Sequence, residues 1–234
     1  RFLTDELADV GIVASENRVW RLCSTAGVFA SHARKRSKAG KPGPPVHDDL
    51  LAVVDARGRV RHEFTATAPN QVWLTDITEH RTGEGKLYLC AVKDCYSNKI
   101  VGYSIASHMK SALAEAALRN AIALRSPDGT ICHSDRGSQF RSKKVMRILK
   151  SNGLKGSMGR VASAGDNAAM ESFFALLQKN VLDRQRWDTR DELRLAIVTW
   201  IERTYHRRRR QTRLGRLTPI EFETIIKPAA DQAA

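Results

Sequence analysis

The strongest constraint on the fold is a change of pattern at Gln71. From there, three short runs are rich in β-branched and aromatic residues: 71–79 (QVWLTDITE), 86–94 (KLYLCAVKD) and 98–107 (NKIVGYSIAS). Gly83 and Gly85 punctuate the first gap, Ser97 and Asn98 the second. The pattern predicts a three-stranded antiparallel meander. The alanine-rich stretch 110–125 predicts a helix, stopped by Ser126-Pro127-Asp128-Gly129. A fourth strand at 130–135, a helix at 138–152 and a short fifth strand at 154–158 follow. A glycine- and serine-bearing loop covers 156–166, and helices run from near Asp166 to about Leu182 and over about 189–206. This order, β-β-β-α-β-α-β-α-α, predicts an α/β layered domain with a mixed five-stranded sheet flanked by helices.

The N-terminal part reads differently. Leu3, Leu7 and Val10 are spaced helically, and Gly11 breaks the run. Ser15 is placed to cap a second helix carrying Val19, Leu22 and Cys23, with Gly27 as its stop. A helix–turn–helix and a plain helical hairpin both fit this small element. Five bases (Arg34, Lys35, Arg36, Lys38 and Lys41) then lead into Pro42-Gly43-Pro44-Pro45, a segment that cannot pack as a helix or central strand. It fits a basic strip along a phosphate backbone or a solvated tether. The expected division is a helical segment 1–33, a basic linker and connector 34–64, a core 65–225 and a tail 226–234.

Charge narrows the partners. Thirty-nine Lys and Arg face 25 Asp and Glu, a net +14 over 234 residues, an excess that a polyanion would use through counterion release. Cys23, Cys90, Cys95 and Cys132 form no C-x-x-C pair, so reduced, buried thiols in a cytoplasmic protein are expected rather than a disulfide framework or zinc site. No apolar run approaches the roughly 18 residues of a membrane span, and no signal peptide is visible. The sequence opens at Arg1, as a fragment or the downstream part of a longer product would.

Three acids stand out. Asp76 lies inside a strand among Val72, Trp73, Leu74 and Ile77, where a carboxylate is costly unless paired or metal-bound. Asp135 ends the fourth strand, where a loop begins. Glu171 lies about one turn into a helix, with Asn167 four residues earlier on the same face. Carboxylates from two strands and a helix, meeting at one sheet edge, would hold divalent ions for phosphoryl transfer. Singly, each also fits a blander role: a satisfied strand polar group, a helix cap, an exposed helix acid.

The words around them add specificity. WLTDIT (73–78), HSDRGSQF (133–140) and GDNAAMESFF (165–174) occur in that order, with 35 residues between Asp135 and Glu171 and 58 between Asp76 and Asp135. This pattern resembles the insertion-sequence-3 family of DDE transposases (OrfB-type), within the retroviral-integrase-like superfamily, over about residues 65–222. The resemblance implies a ribonuclease-H-like fold and a transposase that cleaves DNA and transfers strands at insertion-sequence ends. It implies two magnesium or manganese ions on Asp76, Asp135 and Glu171. It further implies terminal inverted repeats and target DNA as substrates, a homo-oligomer, and an upstream reading frame joined by frameshifting. Companion positions fall on Thr75 and Thr78, on His133, Ser134, Gly137 and Gln139, and on Asp166 and Asn167. Support roles are expected for Asn167, Thr75, Gln139 and His133, alongside plain packing or turn roles.

Where the family often has a base seven residues after the glutamate, this chain has Gln178, with Lys179 next; both are candidate DNA contacts. The segment 203–216 (RTYHRRRRQTRLGR) carries seven arginines and no acid. Such a run repels itself unless something anionic is near. Arg207, Arg208, Arg209, Arg210 and Arg213 are therefore candidate phosphate contacts, as are Arg34, Lys35 and Arg36; a solvated or dimer-facing surface is the other reading of the arginine run. Trp187 and Trp200 are expected in the core. A nuclease of the same fold that cuts without joining, and a non-catalytic DNA-binding remnant, remain rivals.

Overall fold

A computed structural model of the chain describes residues 2–28, 44–58, 60–159 and 168–225. Two short helices come first, α1 (Phe2–Asp9) and α2 (Glu16–Thr25). Ser15 caps α2 as expected, its hydroxyl accepting from the Arg18 N–H. The connector holds structure that its composition does not announce. Strands β1 (Ala52–Val54) and β2 (Val60–His62) pair as an antiparallel hairpin. Its turn is started by Asp55, whose carboxylate accepts from the Arg57 N–H.

The core follows the expected order. Strands β3 (Val72–Thr82), β4 (Gly85–Asp94) and β5 (Ile100–Ala106) form the meander. Helix α3 (Ser111–Arg125) then crosses over, so that β6 (Ile131–Ser134) returns parallel to β3. Helix α4 (Lys143–Ser151) makes a second crossover to β7 (Lys155–Met158), parallel to β6. The mixed five-stranded sheet has the order β5-β4-β3-β6-β7.

Two apolar layers cover the sheet. On one face, Trp73, Cys90 and Val92 pack against the α3 stripe Leu113, Ala114, Ala117, Leu118 and Ala121, and against Val145, Ile148 and Leu149 of α4. Small residues on α3 let it ride close to β5. At Gly102 a Cβ would lie 2.5 Å from the Ala117 carbonyl oxygen, so only glycine fits beneath the helix. On the other face, Leu74, Leu89 and Ala91 meet α5 (Ala168–Leu177) and α6 (Arg190–Thr199) through Met170, Phe173, Phe174, Leu193 and Ile197. Both helices continue into π-helical turns, Gln178–Leu182 and Trp200–Tyr205. Thr189 and Glu192 form a capping box that fixes the start of α6. Trp200 is buried in this layer and Trp187 packs against it, as the sequence suggested.

The connector protects the sheet edge. The Asp48 carbonyl accepts from the Met158 N–H, and the Ser157 hydroxyl accepts from the Leu50 N–H. These bonds occupy backbone and side-chain groups of β7 that an open edge strand would leave to other chains. At the start of β3 a charged network clamps α7 (Pro219–Ile225) to the core. Arg125 pairs with Asp94 at 3.1 Å and with Glu223 at 2.8 Å, while Lys99 reaches Glu223 at 3.2 Å.

Candidate active site

Alternation along β3 decides where Asp76 points. Leu74 lies in the layer under α5, while Trp73 and Ile77 face α3. Asp76 therefore shares the α5 face, and its Oδ1 accepts from the Ile77 N–H at 2.7 Å. Strand β6 is in parallel register with β3, the last pair being Thr75 with Ser134. Asp76 and Asp135 are the residues that directly follow this last pair, where the two strands run roughly 4.8 Å apart. Burial is the main cause pushing the Cys90 thiol up, and both Asp76 and Asp135 add to it. The two acids thus act on the same buried residue of β4.

Asp135 is held by its own turn. Its Oδ1 accepts from the Gly137 N–H at 2.9 Å. A Cβ at Gly137 would sit 2.9 Å from that same oxygen and 3.1 Å from Gln139 Oε1, so a side chain there would push these polar ends aside. One side of Asp135 is open to solvent. Desolvation on the other side still raises its pKa, against the Gly137 hydrogen bond. No cation pairs with it among the described residues.

Glu171 occupies the first turn of α5 and is exposed, while Met170, Phe173 and Phe174 beside it are buried. The α5 face of the sheet therefore carries all three acids' elements. Among the described residues, however, no three of the His, Cys, Asp and Glu side chains stand within ligating reach of one point. The donor chemistry suits a hard divalent cation: three carboxylates, from within β3, just past β6 and in the first turn of α5, one of them with a raised pKa and no cation partner among the described residues.

The companion positions divide. Thr75 is buried on the far face, against Cys90 Sγ at 3.7 Å, and Thr78 is also buried. His133 is buried under the connector, its Nδ1 2.9 Å from Ser157 Oγ and its ring against His62 and Phe64. Gln139 donates to the Met109 carbonyl, joining the Asp135 turn to the segment before α3. These three contacts are packing and positioning contacts. Asp166, Asn167, Arg34, Lys35 and Arg36 lie outside the described residues.

The arginine segment is organised by the protein itself. The α1 acids Asp5 and Glu6 pair with Arg216 and Arg208, and Asp9 pairs with Arg210 at 3.2 Å. Arg213 donates to the Phe64 carbonyl at 3.0 Å. Arg207 is exposed and Arg209 partly buried. Tyr205 and His206, interleaved with these bases, are buried: the Tyr205 hydroxyl donates to the Asn98 carbonyl, and His206 Nε2 accepts from the Ile100 N–H. Gln178 is also engaged internally, its amide donating to Asp183 at 2.5 Å. Lys179 is exposed.

The sequence reading passed over Lys93. It is buried on the α5 face of β4, and its amine donates to the Ala169 carbonyl at 3.0 Å, two residues before Glu171. Burial lowers its pKa to about 8. The signal was a single lysine ending an apolar strand run.

Residues 66–164, and again 152–219, match the family described as Integrase core domain. A 31 kDa protein of insertion element IS600 from Shigella sonnei is 38% identical over 95% of this chain and 79% of its own length. The transposase for insertion sequence element IS904 from Lactococcus lactis is 33% identical over 94% of this chain and 85% of its own. Transposase InsF for insertion sequence IS3A from Escherichia coli is 36% identical over 94% and 75%. Among solved structures, the catalytic core domain of HTLV-2 integrase in complex with magnesium superposes with a TM-score of 0.53 at 20% identity, covering 67% of this chain and 98% of that one. That likeness concerns the fold, the ribonuclease-H-like arrangement of a mixed sheet between helices.

Proposed function

The chain belongs to the insertion-sequence transposases that carry an integrase core domain, and from that premise we propose that it cleaves DNA at insertion-sequence ends and joins the freed 3′ ends to target DNA. Membership makes it a polynucleotidyl transferase. The finer reading assigns the metal ligands to Asp76, Asp135 and Glu171. The observation that supports it is the parallel β3–β6 register, whose last pair, Thr75 with Ser134, directly precedes both Asp76 and Asp135.

Divalent magnesium or manganese ions, when bound, would supply Lewis-acid activation of the attacking oxygen and stabilise the leaving one. Asp76 would hold them from within β3 and Asp135 from just past the end of β6, and Glu171 would close the site from the first turn of α5. The Gly137 N–H fixes Asp135, and Lys93 anchors the start of α5. In the first step water attacks a phosphodiester and releases a 3′-hydroxyl. In the second that hydroxyl attacks a target phosphodiester, so one P–O bond forms as another breaks. The N-terminal helix pair, a homo-oligomer and an upstream-frame partner complete the proposed working form. No described helix is long and apolar enough to cross a membrane, and we place the protein in the cytoplasm, at the nucleoid.

A strand-transfer assay with pre-cleaved element ends, with and without magnesium, tests this for the parent chain and for Asp135→Ala. Metal-dependent joined products that vanish in the variant are expected. Cleavage without joining would favour a nuclease; joining by the variant at the parent rate would sink the assignment.

A further inference from the structure

A second basic surface lies on the other side of the sheet. Helix α4 buries Val145, Ile148 and Leu149 and exposes Lys143, Lys144, Arg147 and Lys150. With Arg119 of α3 it walls a groove of about 280 Å³, lined by Glu115, Arg119, Lys144, Arg147, Ile148 and Ser151. Among the described residues none of these five bases has an ion pair or a side-chain hydrogen bond. The arginine segment differs: there Glu6, Asp9 and Asp5 of α1 supply counter-ions.

The placement also works against helix stability. The first turn of α4 holds Lys143 and Lys144 and no acid, although the positive end of a helix favours anions. The Ser142 hydroxyl, accepting from the Val145 N–H at 3.2 Å, is the cap. Two lysines, a helix N-terminus, Arg119 and Arg147 concentrate positive potential in one place. Glu115 offsets one of these charges. No large exposed apolar residue lies on α4, and lysine is depleted where proteins bury surface against each other. A polyphosphate backbone matches this surface; another protein matches it poorly.

We propose that the α3–α4 groove is a second duplex-DNA contact, holding the phosphate backbone through Arg119, Lys144 and Arg147, with Lys143 and Lys150 at its margins. The proposal rests on the reading that the chain acts on DNA. The geometry adds a reason for its position. Helix α4 grows out of the turn that begins at Asp135, and Gln139 ties that turn to the segment before α3. A backbone held in the groove is thereby registered against Asp135.

The test measures affinity for a generic duplex against salt concentration, without divalent metal, in an Asp135→Ala parent so that nothing is cut. One variant adds Arg119→Gln, Lys144→Gln and Arg147→Gln. A control adds Arg57→Gln, Arg184→Gln and Arg186→Gln, exposed bases outside the groove. Three lost phosphate contacts reduce the slope of log affinity on log salt by about 2.7 and weaken binding at least about tenfold at moderate salt. The control should stay near the parent in both. Equal behaviour of the two triples, or a groove triple that binds like the parent, overturns the groove. So does a groove triple whose only change is in mass by light scattering, since a second copy would then be the occupant. A parent that binds no duplex overturns the DNA reading itself, and the groove with it.

Discussion

Asp94 and Asp135 are the same residue type at two ends of the paired strands, and they are treated in opposite ways. Asp94, fully buried at the end of β4 beside the start of β3, accepts from the Asn70 and Tyr96 N–H groups and pairs with Arg125. Asp135, just past the end of β6, has one backbone donor, an open side and, among the described residues, no cation partner. Desolvation raises the pKa of both, but at Asp94 three neighbours answer it and at Asp135 only Gly137 does. The protein completes one acid's surroundings and leaves the other's open. A closed network serves stability. An acid with unused oxygen lone pairs and no counter-charge is what a cation needs.

The largest expected effect separates the two acids outright. Asp135→Ala should lower metal-dependent cleavage and joining by on the order of a thousandfold or more, with DNA binding kept and the fold intact. Asp94→Asn should do the reverse, and an Asp94 variant that folds normally yet cannot join DNA would break the comparison. Next, Arg125→Ala leaves the buried Asp94 without its cation and Glu223 with Lys99 alone. It should cost about 3–5 kcal/mol of stability, read as a fall of roughly 10 °C in melting temperature, with activity per folded molecule unchanged at low temperature.

A smaller effect sharpens the assignment of Asp135. Its pKa is raised on folding, so its ionised form costs stability above the folded pKa, and that cost fades as pH falls through the unfolded value. Asp135→Asn should therefore melt higher than the parent at pH 7 without metal, the gap closing towards pH 3. Magnesium or manganese should raise the parent's melting temperature but not the variant's. Equal metal shifts in both would remove Asp135 from the ligand set.

Lys93 carries the smallest expected effect. Its folded pKa of about 8 lies below its ordinary 10.5, so the buried charge costs most below pH 8 and the cost is lost as pH rises through 10.5. Lys93→Met should gain roughly 2 kcal/mol near pH 7, about 3 from relieved desolvation less about 1 for the Ala169 hydrogen bond. The gain should disappear by about pH 11. A gain independent of pH would mean packing, not charge, is responsible.

Legibility in the sequence followed locality. Periodicity showed the meander and α3, because alternation and an alanine stripe are local patterns. It showed the acids, because their flanking words are contiguous. The hairpin inside the connector stayed hidden: three-residue strands carry almost no period, and β1–β2 is recognised only by its pairing. The arginine segment fits, in sequence, either a phosphate contact or a solvated or dimer-facing surface, and in the fold three of its arginines meet acids some two hundred residues away on α1. His133 lies on the same face as Asp135, two residues along the strand, and its ring packs against Phe64 and His62 of the connector, contacts that adjacency in sequence does not show.

The sequence by itself determined the family, the order of elements and which acids were candidates, since propensity, turn chemistry and spacing are written along the chain. Only the tertiary structure decided which charges are answered and which are left open. Asp94 and Glu223 find Arg125 across the fold, the arginines find α1, and Asp135 and the bases of α4 form no ion pair among the described residues. A charge's energy depends on what burial and chain crossing bring within a few ångströms, and that is a property of the packed molecule.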